Sequence, residues 1–181
     1  MSDDLGELKR NVQYLMDRTA ILDCVNRYSR GVDRHDVEIT ASVYHDDALD
    51  EHGNIVNTAA DYPAWVNALH SDSFDLHAHN ITTHNCEIDG DAAHCESYVL
   101  YGLLTKDRAN VWFGSGRYVD RLERRGGEWR IALRRTIIDW MFVADASPLK
   151  DPYYLAQGYP AGTHGKDDIS YLRPLALGRA K

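Results

Sequence analysis

Cysteine is scarce and unpatterned in this chain: Cys24, Cys86 and Cys95 are odd in number and show no CxxC spacing. That argues against a disulfide framework or a zinc ribbon and leaves buried, reduced thiols as the expectation. Long hydrophobic runs are missing too. The longest, such as Tyr98–Leu104, fall far short of the roughly 20 apolar residues that cross a bilayer. A basic face is also lacking: formal charge is −8, with Lys and Arg dispersed among acidic residues. Neither nucleic acid nor an anionic membrane is therefore an expected partner. Met1-Ser2-Asp3-Asp4 contains no apolar stretch of the secretory kind, so the expected location is cytoplasmic. Repeats and low-complexity tracts are absent. With 181 residues, the chain has room for one domain with a sizeable core and not for two ordinary ones.

What is present is a change of period. Leu5, Leu8, Val12, Leu15, Ile21, Leu22, Val25 and Val32 recur at helical spacing, which predicts a long helix, or two in line, over 4–34. Ile39–Tyr44 and Thr58–His70 read as two further helices. From His77 the pattern becomes extended: His77–Ile88 and Ala92–Leu104 flank Asp89-Gly90, and Asn110–Leu122 and Trp129–Phe142 flank Arg125-Gly126-Gly127. Both breaks are hairpin signals. In the last segment Trp129, Ile131 and Leu133 alternate with Arg130, Ala132 and Arg134, the pattern of a half-buried strand. Helices first and antiparallel strands afterwards define an α+β domain, expected over 1–145. Residues 146–181, rich in Pro, Gly and Tyr, read as an ordered, irregular C-terminal extension packing on the domain, its pocket or a neighbouring subunit.

Two segments carry chemistry. Arg27–Asp36, on the first helix, holds Tyr28 and Asp33; His77-Ala78-His79-Asn80 opens the first strand. A phenol, a carboxylate and an imidazole can orient a base, move a proton and stabilise an oxyanion without any cofactor. His77 and His79 share a strand face, and strict alternation turns His84 the other way. Asp50 and His52 are expected at a pocket mouth and His77 in the pocket beside His79; Arg135 and Asp139, on one face of the last strand, are expected either to pair or to contact substrate. Asp36 reads as a solvated carboxylate at the helix end. A metal reading of His77-Ala78-His79 is disfavoured, because no carboxylate follows at a ligating distance.

The order of elements, together with Arg27-Tyr28…Asp33-Arg34-His35-Asp36, Tyr44-His45-Asp46-Asp47-Ala48, His79 ahead of Glu87-Ile88-Asp89-Gly90-Asp91, Glu96-Ser97-Tyr98 and Gly127-Glu128-Trp129-Arg130-Ile131, resembles the SnoaL-like branch of the nuclear transport factor 2-like superfamily. The resemblance runs from about Thr19 to Phe142. It implies a cone: a curved, mostly antiparallel sheet wrapped by N-terminal helices around an apolar pocket. It further implies that His79 is the general base, that Asp33 orients it, and that Tyr28 and Tyr101 stabilise an oxyanion or assist a leaving group. Aromatic walls are expected from Trp112, Phe113, Trp140 and Phe142. The function so implied is a cofactor-independent lyase on a hydroxylated aromatic or polycyclic small molecule, by dehydration or by carbon–carbon cleavage releasing an aldehyde such as formaldehyde from a lignin-derived diarylpropane. An isomerase or cyclase, or a non-catalytic binding or assembly subunit, is the alternative. A homo-oligomer is expected, a trimer before a dimer.

Overall fold

The computed structural model describes residues 2–177. One long helix, α1 (Ser2–Asp33), leads into α2 (Val37–Ser42), β1 (Tyr44–His52), β2 (Ile55–Thr58) and α3 (Tyr62–Ser73). Four long strands follow: β3 (Phe74–Asp89), β4 (Ala92–Thr105), β5 (Asn110–Arg125) and β6 (Glu128–Asp145). Together with β1 and β2 they form one six-stranded sheet in the order β2-β1-β6-β5-β4-β3. Only the β1–β6 pair is parallel; the others are antiparallel. The sheet curves without closing, and the helices fill its concave side, which is the expected cone.

The two hairpins stand where the sequence puts them, with Gly90 and Gly127 at positive φ. The short β1–β2 pair was not expected: it occupies the stretch between the two helices, which end at Ser42 and begin at Tyr62 instead of reaching Tyr44 and Thr58. Polar Asp46, Asp47 and Asp50 mask the apolar alternation of β1.

The first four turns of α1 stand clear of the core, leaving Leu5, Leu8, Val12 and Leu15 exposed. Packing starts at Asp17, which accepts the indole N–H of Trp129 at 2.9 Å and an Arg124 hydrogen bond at 2.9 Å. Beyond it Ile21, Cys24, Val25, Tyr28 and Val32 enter the core with Val43, Tyr62, Leu122 and Ile131. Each fully buried aliphatic side chain here contributes roughly 1.5–3 kcal/mol of transfer free energy. Gly31 is required where α2 crosses α1, because a Cβ there would stand 2.8 Å from the Thr40 backbone nitrogen.

Three of the sheet's register shifts decide which of the expected site residues face inward. On β6, Leu122 pairs with Ile131 but Arg121 with Leu133, so Ala132 is the extra residue. Parity then reverses, and Arg134, expected on the polar side with Arg130, is driven inside. A second bulge, at Asp139, lies where Gly116 faces Ile138 and Ser115 faces Trp140. On β3, Ile81 faces Val99 but His84 faces Ser97, so His84 turns to the same face as His79 instead of away from it.

The C-terminal extension returns to the end of α1. Gly165 N–H donates to the Arg34 carbonyl at 2.6 Å, and Lys166 and Tyr171 both reach Asp36 at 2.6 Å. Asp36 is therefore buried and partnered, not solvated. Burial alone would raise its pKa, but these donors and the α2 N-terminal amide of Ile39 hold it below the usual carboxylate range. Of the three free cysteines, Cys24 and Cys95 are buried and Cys86 only partly so. Among the described residues no helix is long and apolar enough to cross a membrane.

Candidate active site

A cavity of about 270 Å³ opens inside the cone, lined by Tyr28, His79, Tyr101 and His52 among apolar walls that include Phe74 and Trp112. A larger hollow of about 560 Å³, between α1 and the Gly127–Trp129 turn, is lined by no histidine and offers no comparable base. His79 also borders a polar hollow of about 360 Å³ with Asp33, Arg30 and Arg34; the 270 Å³ cavity is the candidate site because Tyr28, Tyr101 and His52 join His79 there among apolar walls.

Asp33 and His79 meet although 46 residues separate them. The Asp33 carboxylate accepts from His79 Nδ1 at 2.7 Å through one oxygen and from the His79 backbone N–H at 2.9 Å through the other. Both oxygens are thus committed to one residue, which locks ring orientation. Nδ1 carries the proton in this arrangement, and Nε2 has no hydrogen-bond partner among the described residues. The last turn of α1 supplies the carboxylate and the inward face of β3 the imidazole.

Tyr101 projects from β4 with its ring centroid 6.3 Å from that of His79. Gly114, opposite on β5, makes room: a Cβ there would collide with the Tyr101 ring and stand 2.7 Å from the Trp140 carbonyl oxygen. The Tyr101 hydroxyl has no hydrogen-bond partner among the described residues. Burial raises its pKa, so it stays a donor at neutral pH.

Tyr28 is arranged differently. Its hydroxyl is in a short hydrogen bond with Tyr62, and its ring lies 4.0 Å from the Arg134 guanidinium, which also sits 4.2 Å from the Tyr118 ring. Burial, reinforced by Asp50, pushes the Tyr28 phenol up to about 12. Arg134 is completely buried and donates two hydrogen bonds of 2.7 Å to Asp120, itself 2% exposed. Sequence reasoning missed this pair, since strict alternation sends Arg134 to solvent.

The other expected residues divide. His52 and Trp112 line the cavity. Asp50 does not reach its mouth; it is fully buried behind, accepting the Tyr44 hydroxyl at 2.6 Å. His52 Nδ1 lies 3.4 Å from Asp50 Oδ1, yet the geometry is too poor for a hydrogen bond, and both atoms are without partners. His77 is not at the cavity, because its Nε2 is engaged by the Val32 carbonyl at 3.0 Å. Arg135 faces outward and pairs with Glu51, while Asp139 pairs with Arg117; the expected pair does not form because each is engaged by another partner. The bulge at Asp139 turns Trp140 out: it stacks on Phe142 and near Phe113 on the convex side. Of the expected aromatic wall only Trp112 remains.

His70, from α3, was not foreseen and lines the cavity. It stacks on His77, centroids 4.2 Å apart. Burial, then the neighbouring imidazoles, lowers both pKa values to about 3. Their neutral rings back His79. The only sequence signal for His70 is its spacing four residues after the buried Val66.

Residues 13–135 match the SnoaL-like domain model. This chain belongs to that family. Among solved structures, a protein of unknown function from Mycobacterium tuberculosis, Rv3472, is 28% identical, with a TM-score of 0.62 over 69% of this chain and 77% of that one. A hexachlorocyclohexane dehydrochlorinase, LinA type 3 from Novosphingobium barchaimii LL02, is 21% identical, with a TM-score of 0.66 over 74% and 94%. A candidate scytalone dehydratase from Novosphingobium aromaticivorans DSM 12444 is 16% identical, with a TM-score of 0.66 over 94% and 99%. At such identities the last two likenesses speak for the fold alone. No curated protein matches the chain.

Proposed function

We propose that this protein is a cofactor-independent lyase acting on a hydroxylated aromatic small molecule, with His79 as general base, Asp33 as its orienting carboxylate and Tyr101 as the facing hydrogen-bond donor. The observation that carries this reading is the two-point Asp33–His79 contact at the wall of an apolar cavity. A carboxylate on Nδ1–H fixes the tautomer and leaves Nε2 basic toward the cavity. Tyr28, tied to Tyr62 and Arg134, shapes the floor more than it donates.

Nε2 removes a proton from carbon or from a hydroxyl. In a dehydration, the C–H electron pair becomes the new double bond, and hydroxide leaves as water after taking a proton from an acid in the site. In an aldehyde-releasing cleavage, a primary alcohol loses its O–H proton and becomes the aldehyde carbonyl. The C–C pair then forms the double bond and expels a hydroxyl, which again leaves as water. Formaldehyde release from a lignin-derived diarylpropane is the form of this reaction we favour. A cavity of about 270 Å³, at the small end of ligand pockets, suits one substituted ring inside, with a second at the rim near Trp112. An isomerase of the carboxylate-shuttle kind is less well supported, since Asp33 is committed to His79 and Asp50 to Tyr44.

The test is incubation with hydroxylated aromatic dimers, following new conjugated absorbance and released aldehyde. Turnover by His79→Ala comparable to that of the unaltered protein would refute the assignment.

A further inference from the structure

We propose that His35, His77 and His164 bind one divalent transition-metal ion of the zinc class, which staples the C-terminal extension to the core behind the dyad. One ring nitrogen from each residue lies within 4.8 Å of one from each of the others. Three remote segments supply them. His35 follows α1 in a left-handed conformation, φ 52°; His77 lies on β3; His164 comes from the extension. Ring centroids are 3.8 Å apart for His35 and His164, 5.1 Å for His35 and His77, and 5.2 Å for His77 and His164.

Proximity alone would not make a site. The second observation is that each ring has a buried nitrogen with no hydrogen-bond partner: His35 Nε2, His77 Nδ1 and His164 Nε2. The His77 side chain is wholly removed from solvent. Its Nε2–H donates to the Val32 carbonyl at 3.0 Å, so the orphaned Nδ1 carries a lone pair. His35 Nδ1 is held 3.2 Å from the Ser71 hydroxyl, leaving Nε2 as its free nitrogen. Ligating imidazoles are typically oriented in this way, with the second nitrogen hydrogen-bonded to a carbonyl or similar group. Buried polar atoms are nearly always partnered, and three orphans of one chemical type in one place point to a shared ligand. Three neutral imidazoles suit zinc, with a fourth, non-protein position.

The rings lie at interplanar angles of 20–42°, so ligation requires them to turn about χ2. His35 and His164 are only part-buried and have that freedom. The loop carrying His164 is held by other bonds: Gly165 to the Arg34 carbonyl, and Thr163 N–H to Asp168 at 3.0 Å. His77 Nε2 lies 3.9 Å from Asp33 Oδ1, so the site adjoins the dyad without lining its cavity. The ion's role is structural, and no catalytic step passes through it.

The test uses the full chain, stripped with a chelator, then titrated with zinc by calorimetry and with cobalt(II) by visible absorption. We expect one ion per chain and a zinc-dependent rise in thermal midpoint. His164→Ala alters a surface loop and leaves the core intact. It should weaken zinc binding by more than about tenfold, since even outer-shell changes reach that scale, and abolish the thermal rise; His35→Ala should do the same. Cys86→Ser should change neither. The proposal falls if zinc does not bind, or if His164→Ala binds it unchanged. It also falls if Cys86→Ser is the variant that loses binding, which would assign the ion to the His84, Cys86 and Cys95 group.

Discussion

Replacing Arg134 by Met strands the Asp120 carboxylate in the core, and the consequence can be sized. Both side chains are 0% exposed and share two hydrogen bonds of 2.7 Å. Removing one partner of such a pair costs about 3–5 kcal/mol, because the remaining charge is buried without compensation. A typical domain has only about 5–15 kcal/mol in total. With a urea slope near 2 kcal/mol per molar, Arg134→Met should lower the denaturation midpoint by roughly 2 M. The Asp120→Leu/Arg134→Met double variant removes both charges and should recover most of the loss. The assay is urea unfolding of both single variants and the double, followed by circular dichroism and tryptophan fluorescence. A loss below about 1 kcal/mol for Arg134→Met, or a double variant as unstable as the sum of the singles, would refute the claim that this pair organises the interior under Tyr28 and Tyr118.

Four further outcomes are expected. His79→Ala should lower kcat by about 10²–10⁴, the usual share of a general base; Asp33→Asn should fall in the same range with substrate affinity little changed, checked by steady-state kinetics on an active dimer. Tyr101→Phe should reduce kcat more than Tyr28→Phe does, whereas Tyr28→Phe should chiefly cost stability, about 1 kcal/mol for its hydrogen bond to Tyr62; equal kinetic effects would reverse the roles given to the two phenols. Gly114→Ala should destabilise by about 1–3 kcal/mol through overpacking and displace Tyr101, so unimpaired turnover would contradict the close approach seen here. Burial holds the phenols of Tyr28, Tyr44, Tyr62 and Tyr118 above their ordinary value, Tyr28 at about 12. Their stabilising contribution is therefore complete below about pH 10 and is lost as pH rises toward the folded value. Absorbance at 295 nm should show these four of the 11 tyrosines ionising only with unfolding, and a single common midpoint near 10 in the native state would count against it.

Periodicity alone made the helical N-terminal half, the two hairpins and the α+β class legible, because apolar spacing and turn glycines act within a few residues of chain. The residues that converge were legible as well: Tyr28 and Asp33 on one helix, His79 and Tyr101 on inward strand faces. Bulges were not. Inserting Ala132, Asp139 and one residue between Ile81 and His84 costs little locally and leaves no compositional mark, yet each reverses the faces beyond it. That parity switch buried Arg134, expelled Trp140 and brought His84 inward. Which side of the sheet a residue faces accumulates along the whole strand, so only the assembled ladder fixed it. The same holds for His35, His70, His77 and His164: their contacts join elements far apart in sequence, and no local pattern encodes that meeting.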